Sequence, residues 1–397
     1  MSISKIRFKG FNTSLERKQI GEITTSFSGG TPKSSNKSYY EGDIPFIRSG
    51  EVKSKQTELY ISDEALQNSS AKMVEKGDVL YALYGAISGE VAISQINGAI
   101  NQAILAIKPN SGYSSDFIMN YLKKEKDNIL EKYLQGGQGN LSAAIVKSIE
   151  LSLPSQEEQS AIGTLFRTLD DLLSSYKDNL TNYQSLKETM LSKMFSKAEQ
   201  TVPEIRLDGF EGEWEVVNLG TLIDNYDEII SGESGFPIAT SSRKGLYLQN
   251  DYFEGGRTGI DLTLDFHRVP MGYVTYRHMS DDSIFKFNKN NFETDVLVSK
   301  EYPVFISNGR SDIDFLLYHL NNSRLFLRFS TMQKLGGTRV RLYYKNLITY
   351  KLAVPTVKEQ QAIGAYFSNL DNLINSYQEK ISQLETLKKK LLQDMFI

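Results

Sequence analysis

The 397-residue sequence contains no cysteine. That excludes disulfides, thiolate zinc sites and a cysteine nucleophile, and it fits a reducing compartment. No run approaches ~18 consecutive apolar residues, so no membrane span is expected. The opening stretch, MSISKIRFKGF, lacks the apolar core of a secretory signal, and a cytoplasmic location is the expectation. Histidine is scarce: His267, His278 and His319 are scattered, so they are not expected to bind a metal. No G-x-x-x-x-G-K-[ST] phosphate loop occurs. An excess of positive charge is also missing. There are 45 Lys and Arg against 48 Asp and Glu, and a net charge of −3 exerts no global pull on nucleic acid. Any DNA-binding surface must therefore be a segregated patch.

What is present is a soluble globular composition, 40% hydrophobic and 23% charged, on a chain too long for one ordinary core. One stretch occurs twice. Residues 153–195 align without a gap with residues 354–396: Pro154 with Pro355, Gly163 with Gly364, Asp170 with Asp371 and Phe195 with Phe396. Roughly four residues in ten are identical, which marks an internal duplication. A fainter echo pairs Ile6–Phe11 with Ile205–Phe210 and Ile20-Gly21 with Leu219-Gly220. The repeated unit is a lead-in, a body and a long helix. The domain reading is 1–152 (first body), 153–200 (first helix), 201–353 (second body) and 354–397 (second helix).

Each body reads as mixed α/β. In the first, Gly29-Gly30-Thr31-Pro32-Lys33 is a loop, Ile44–Gly50 a short strand and turn, and Asp78–Gly85 a buried strand. Phe117–Leu134 is predicted helical, with Phe117, Ile118, Tyr121, Leu122 and Ile129 on one side. A polar Gly136–Asn140 loop and a strand-like Ile145–Leu153 follow. The second body ends alike, with a predicted helix over Asp314–Phe329, a Gly336-Gly337 loop and a strand towards Pro355. Its interior differs and has no GGTP loop. Tyr81 and Tyr84 can either pack in the core or stack on a displaced base.

The long helices carry a coiled-coil seam. Apolar residues fall at 162, 166, 169, 173, 176, 180 and 183, and again at 363, 367, 370, 374, 377, 381 and 384. Lys187 and Lys388 interrupt both copies at the same place, as a stammer would. Ser155 with Glu158, and Thr356 with Glu359, match a capping box. About 39 helical residues span roughly 58 Å. A seam of that length needs a partner, and the obvious partner is the other copy. The expected fold class is α/β (mixed α+β): two globular domains joined by two long antiparallel coiled-coil helices with an internal pseudo-twofold repeat.

This architecture resembles the specificity subunit of type I restriction–modification systems. The resemblance is carried by GGTP at 29–32, IPFIRSGEVK at 44–53, P-x-x-x-E-Q-x-A-I-G at Pro154–Gly163 and Pro355–Gly364, and the IRxxGF lead-ins at 6–11 and 205–210. One departure is Leu15 where the second lead-in has Trp214. The resemblance implies two target-recognition domains, each reading half of a split site on double-stranded DNA. It implies helices that space the half-sites, and docking of two adenine-N6 methyltransferase subunits followed by restriction subunits. S-adenosylmethionine, ATP and magnesium would belong to those partners, with no cofactor on this chain and no membrane partner. It implies no catalytic site here, and no Asn-Pro-Pro-Tyr or Asp-Pro-Pro-Tyr motif is present.

Candidate DNA contacts follow from residue chemistry. Between Phe315 and Lys358 there is no acid but eight Lys or Arg, a composition that builds a local positive field. Lys334, Arg339 and Arg341 lie in it, and the Gly336-Gly337 loop would let backbone amides approach a phosphate. Arg243, Lys244, Arg277, His278 and Arg310 are candidates for base edges, since arginine reads guanine bidentately. In the first body the candidates are Thr31, Lys33, Arg48, Lys53, Gln135, Gln138 and Asn140. Each alone is equally compatible with a solvated surface or an ion pair. Phe166, Leu169, Leu173, Tyr176, Leu180, Phe367, Leu370, Ile374, Tyr377 and Ile381 are assigned to helix pairing and partner contact. Leu165, Leu172, Tyr366 and Leu373 form an outer apolar edge for methyltransferase helices. Two other readings stay open: a coiled-coil scaffold joining two protein-binding modules, and a metal nuclease using Asp43, Glu51 and Lys53.

Overall fold

The computed structural model describes residues 6–134, 140–197, 200–252, 260–334 and 339–396. The chain divides into two compact units, Met1–Asp178 with Glu379–Ile397, and Asn179–Gln378. Both long helices form without interruption, over Gln156–Lys193 and Val357–Met395. The division falls within them, so each unit holds one body and a segment of each helix. Among the described residues no helix is long and apolar enough to cross a membrane.

In the first unit a two-stranded ribbon frames the body, Glu16–Gln19 running antiparallel to Glu150–Leu153 with Glu16 opposite Leu153. An antiparallel sheet follows in the order Thr24–Ser28, Ile104–Pro109, Val79–Ala82, Val91–Ile93. The run Val79–Ala82 is apolar throughout because both of its faces are covered. Val79 and Tyr81 point into one core with Leu105 and Ile107, and Leu80 points into another with Ile104 and Ala106. A second sheet orders Tyr60–Ile61, Ile44–Ile47, Gly98–Ile100 and Lys72–Val74, and its contact between Phe46-Ile47 and Ala99-Ile100 is parallel. The helix Ser115–Leu134 buries Phe117, Ile118, Tyr121, Leu122 and Ile129, the side expected from its spacing.

The second unit repeats the frame. Glu215–Asn218 pairs antiparallel with Lys351–Val354. A four-stranded sheet runs Ile223–Tyr226, Val304–Ser307, Val274–Tyr276, Phe287–Lys289, the same order of equivalent strands as in the first unit. The rest differs. A three-stranded sheet orders Ile229–Ser231, Asp265–Val269 and Val296–Ser299, and a hairpin pairs Ala239–Ser242 with Gly245–Leu248.

Within each unit the two helix segments run antiparallel. In the first, Phe166 meets Phe396 at 5.8 Å, Lys388 pairs with Asp170, and Lys177 pairs with Glu385 at 2.6 Å. In the second, Phe195 stacks on Phe367 at 6.0 Å, Lys187 pairs with Asp371, and Tyr183 meets Tyr377 at 5.5 Å. Phe396 enters the core of the first body beside Phe117 and Tyr121; Phe195 enters that of the second beside Phe315 and His319. Burying one such ring is worth roughly 1.5–3 kcal/mol. Each body's core is thus completed by the end of the helix that follows the other body.

At Lys187 and Lys388, where the apolar seam is interrupted, both helices continue, and each lysine meets a carboxylate on the facing segment. Several expectations need correction. The capping boxes are half formed. Ser155 and Thr356 accept from the backbone N–H of Glu158 and Glu359, both at 3.4 Å. The glutamates do not reach back; their buried carboxylates bind Arg7 and Arg206 of the lead-ins. Ile145–Leu153 is a strand only over Glu150–Leu153, because Ser142 caps a short helix, Ala143–Lys147. The helix expected over Asp314–Phe329 breaks at Ser323, whose extended backbone ends Ile313–Asn322 and whose hydroxyl caps Arg324–Met332.

Candidate nucleic-acid interface

In the second unit the hairpin register sets the site. Ser242 lies opposite Gly245, so Arg243 and Lys244 form a two-residue tip. The hairpin is fixed to the four-stranded sheet by Asn288, whose buried amide donates to Ser241 Oγ at 2.8 Å and to the Ser242 carbonyl at 2.9 Å. Arg243, Lys244 and Arg277 then line one groove of about 430 Å3 with Tyr252, Lys286 and Tyr302. An adjoining groove of about 520 Å3 shares Lys244 and Lys286 and adds Lys187, Tyr247 and Lys289. The adjacent pair Arg243-Lys244 and the sequence-distant Arg277 are therefore brought together, as phosphate and base-edge contacts require.

Lys286 escaped the sequence reading. Burial pushes its pKa down, and Lys187 nearby acts in the same direction. The signal was the alternation Phe285-Lys286-Phe287, which turns two rings inward and the lysine outward. His278 is not at the surface. It is buried against Tyr343, with ring centroids 5.6 Å apart, and burial lowers its pKa, so it is neutral at pH 7. Arg310 is exposed on the turn after Val304–Ser307 and lines neither groove. Lys334, Arg339 and Arg341 are exposed, but the field expected from the acid-free stretch is partly offset from outside it. Asp281 accepts from Arg339 Nε at 2.9 Å. Gly336 and Gly337 lie outside the described residues.

In the first unit the glycines of the GGTP loop serve close packing. A Cβ on Gly29 would sit 1.8 Å from the Ile100 carbonyl oxygen, and one on Gly30 would sit 2.5 Å from Ser70 Cβ. This approach holds Thr31 beside Gln102, with Thr31 Oγ1 donating to Gln102 Oε1 at 2.5 Å. Gln102 is exposed at the polar interruption between two buried strands, Gly98–Ile100 and Ile104–Pro109, and its amide suits adenine. That interruption, Asn101-Gln102, was the missed signal. Lys33 and Asn140 are exposed, and Gln135 and Gln138 lie outside the described residues.

Arg48 and Lys53 are tied to acids. Arg48 pairs with Glu51 at 3.0 Å and with Glu58 at 2.6 Å, and these partners raise its pKa. Burial pushes the Glu51 carboxyl up, but hydrogen bonds from Arg48, the Glu58 N–H and Thr57 outweigh it and hold the carboxyl at about 2. Lys53 pairs with Glu90, which also holds Lys126. The residues of the nuclease reading, Glu51 and Lys53, thus belong to separate ion pairs. Tyr81 is fully buried and Tyr84 half-buried.

On the helices, Phe166, Leu169, Leu173, Phe367, Leu370, Ile374 and Ile381 are buried. Tyr176, Leu180 and Tyr377 are half-covered, with Lys380 over the Tyr176 ring at 5.9 Å. Of the outer edge, Leu165 packs on the core of the first unit and Tyr366 on that of the second; both remain partly accessible, as do Leu172 and Leu373.

A family model described as the type I restriction modification DNA specificity domain matches residues 12–182 and 246–386. The type I restriction enzyme MjaVIII specificity subunit of Methanocaldococcus jannaschii is 22% identical over 365 residues, 84% of this chain and 84% of that protein. The MjaIX specificity subunit of the same organism is 28% identical over 250 residues, 59% of this chain and 54% of that protein. The solved S subunit of a type I restriction–modification system from M. genitalium shares the fold, with a TM-score of 0.62 at 14% identity over 100% of this chain and 99% of that one.

Proposed function

Because the chain belongs to the type I restriction–modification DNA specificity family, and is a specificity subunit of that kind, we propose that each unit reads one half of a bipartite site on double-stranded DNA. The observation that carries this reading is a shared frame with unlike reading edges. Both units keep the ribbon, the four-stranded sheet order and the joint to the long helices. They differ in the loops, the second sheet and the hairpin, which is what two readers of different half-sites require.

The chain is non-catalytic in this reading. Its arginines, lysines and amides bind phosphates and base edges. The paired helices set the distance between half-sites and dock two adenine-N6 methyltransferase subunits, and restriction subunits join the complex in the cytoplasm. S-adenosylmethionine, bound by the methyltransferase, supplies the methyl group, and ATP and magnesium serve the restriction subunits. The seam residues hold the helix segments together, and the accessible edge at Leu165, Leu172, Tyr366 and Leu373 receives partner helices.

The test is methylome sequencing of a host expressing the chain with its methyltransferase partner, alongside a methylation assay on the isolated chain. Expected are N6-methyladenine in one bipartite motif and no methyl transfer by the chain alone. Transfer by the isolated chain, or a continuous motif, overturns the proposal. A complex showing no salt-dependent shift on duplex DNA would favour a protein-binding scaffold instead.

A further inference from the structure

Two consecutive acids sit where the second unit's candidate readers converge. Strand Met279–Ser280 pairs with Val340–Arg341, with Ser280 opposite Val340. Continuing that ladder by one step brings Asp281 to Arg339, whose Nε donates to Asp281 Oδ1 at 2.9 Å. The next residue, Asp282, takes Arg243 from the hairpin tip end-on, with NH1 to Oδ2 at 2.8 Å and NH2 to Oδ1 at 2.5 Å. Neighbouring carboxylates thus hold two arginines that come from different elements.

The loop that carries them is firmly set. Ser280 Oγ donates to Asp282 Oδ1 at 2.9 Å, the Ile284 N–H donates to the same oxygen at 3.1 Å, and buried Ser330 Oγ donates to the Ser283 carbonyl at 2.7 Å. Ser283, with φ of 66°, is the one non-glycine residue at positive φ among the described residues. Such a conformation persists where surrounding contacts over-determine it. Burial pushes the Asp282 carboxyl up, but hydrogen bonds from Arg243, Ser280 and Ile284 leave it below the usual aspartate value, so it is ionised at pH 7.

We propose that Asp281 and Asp282 are positioning residues for base reading, each engaging part of an arginine's donor set and leaving a two-nitrogen edge for guanine. A guanidinium has five N–H donors, and guanine O6 and N7 take two. Arg339, held through Nε, keeps its terminal NH1 and NH2 edge. Arg243, held end-on, keeps the side edge of Nε and a terminal nitrogen. The pairs are exposed, with side chains at 57% and 46% for Arg243 and Asp282 and 55% and 75% for Arg339 and Asp281. Pairs so exposed contribute little to folding. Beside a phosphate-binding surface a carboxylate also weakens non-specific attraction. An acid placed on a reading arginine therefore exchanges general affinity for a fixed approach to the base.

The proposal rests on the reading of this unit as a half-site reader, and the experiment separates the two. The complex with its methyltransferase partner is assayed for binding to a duplex carrying the methylome-defined motif, to duplexes with each guanine of the second half-site replaced by 7-deazaguanine, and to a random duplex. Asp281→Asn and Asp282→Asn are each expected to lower the specific to non-specific affinity ratio by about 10-fold and to relax discrimination at one guanine. Arg339→Lys, which keeps the charge and loses the planar edge, is expected to relax the same position as Asp281→Asn. An unchanged ratio with uniformly tighter binding overturns the positioning role while half-site reading stands. A second half-site without guanine on either strand overturns it too. A wild-type complex that does not discriminate this half-site overturns both.

Discussion

The two units keep the same joint and differ in what the joint presents. At the start of each long helix a buried glutamate binds a lead-in arginine: Glu158 with Arg7, and Glu359 with Arg206. The following glutamine donates to the preceding proline carbonyl at 2.9 Å in both, and accepts from the Ser114 N–H in one unit and the Asp312 N–H in the other. One turn on, each glycine lets a body helix approach. Further along, Asp170 meets Lys388 and Asp371 meets Lys187. The repeated P-x-x-x-E-Q-x-A-I-G motif is therefore a mechanical joint, and its repetition says nothing about catalysis. The candidate reading surfaces share no such residue pairs. In the first unit Arg48 and Lys53 are bound to Glu51, Glu58 and Glu90, and a Thr31–Gln102 pair stands at the surface. In the second a hairpin tip and a basic groove stand there instead. The lesson is a division of labour: residues alike in both units hold each unit to the long helices, and in the proposed function the residues unlike in the two units choose the DNA.

The largest test of that division is an exchange. Replacing residues 24–152 by the corresponding body of another specificity subunit leaves Arg7, Glu158, Gln159, Gly163 and the Asp170–Lys388 pair in place. The expected outcome, read by methylome sequencing, is a complete change of one half-site with the other half-site and the gap unchanged. A change in both halves would break the comparison.

The second test uses acid. All three histidines lie in the second unit. His319 is buried, bonds Tyr350 Oη at 2.8 Å, and burial lowers its pKa from 6.5 to about 4. The equivalent position in the first unit is Tyr121, which donates to the Glu150 carbonyl. A neutral histidine that takes a proton more readily once unfolded stabilises fully above about pH 6.5 and loses that stability as pH falls towards 4. The loss is about 2 kcal/mol at pH 5 and roughly 3 kcal/mol at its limit. The depressed Glu51 of the first unit acts in a lower window, from about 4.5 down to about 2. Hydrogen exchange at pH 7 and pH 5, corrected for intrinsic rates, should show the second unit losing protection selectively, and His319→Gln should remove most of the difference. Equal losses in both units would count against it.

Much of the frame could be read from the sequence because duplication displays it. The seam, the buried strand Val79–Ala82 and the helix side from Phe117 to Ile129 all follow from apolar spacing. Spacing fails where single polar side chains decide. Ser142 and Ser323 turn expected continuous elements into short ones by capping. Lys187 and Lys388 interrupt the seam, and spacing does not show the acids they meet on the facing segment. The candidate site was legible only as a list of cations. Arg243 and Lys244 became a tip through the Ser242–Gly245 register, and their convergence with Arg277 needs the tertiary fold. Asp281 and Asp282 were invisible as partners because their arginines lie 58 and 39 residues away.

The smallest test asks whether the two joints are equally tight. Alanine in place of a helix-interior glycine gains about 1 kcal/mol of helix propensity. At Gly163 the new Cβ would lie 2.7 Å from Asp116 Cβ, an atom fixed to the backbone of the Ser115–Leu134 helix. Relief requires the two helices to separate, at a cost of about 1–3 kcal/mol. At Gly364 the nearest atom, also at 2.7 Å, is Asp312 Oδ1, the end of a side chain that can rotate away. That oxygen caps the Phe315 N–H at 2.8 Å, and losing the cap costs about 1 kcal/mol, which the gain in propensity offsets. Gly163→Ala should therefore destabilise the first unit measurably, while Gly364→Ala leaves the second nearly unchanged, both read from denaturant unfolding followed unit by unit. If both variants lose equally, side-chain rotation gives no relief at Gly364. The 3.3 Å approach to the Phe315 nitrogen, which is backbone and cannot turn aside, then governs the second joint as the Asp116 contact governs the first.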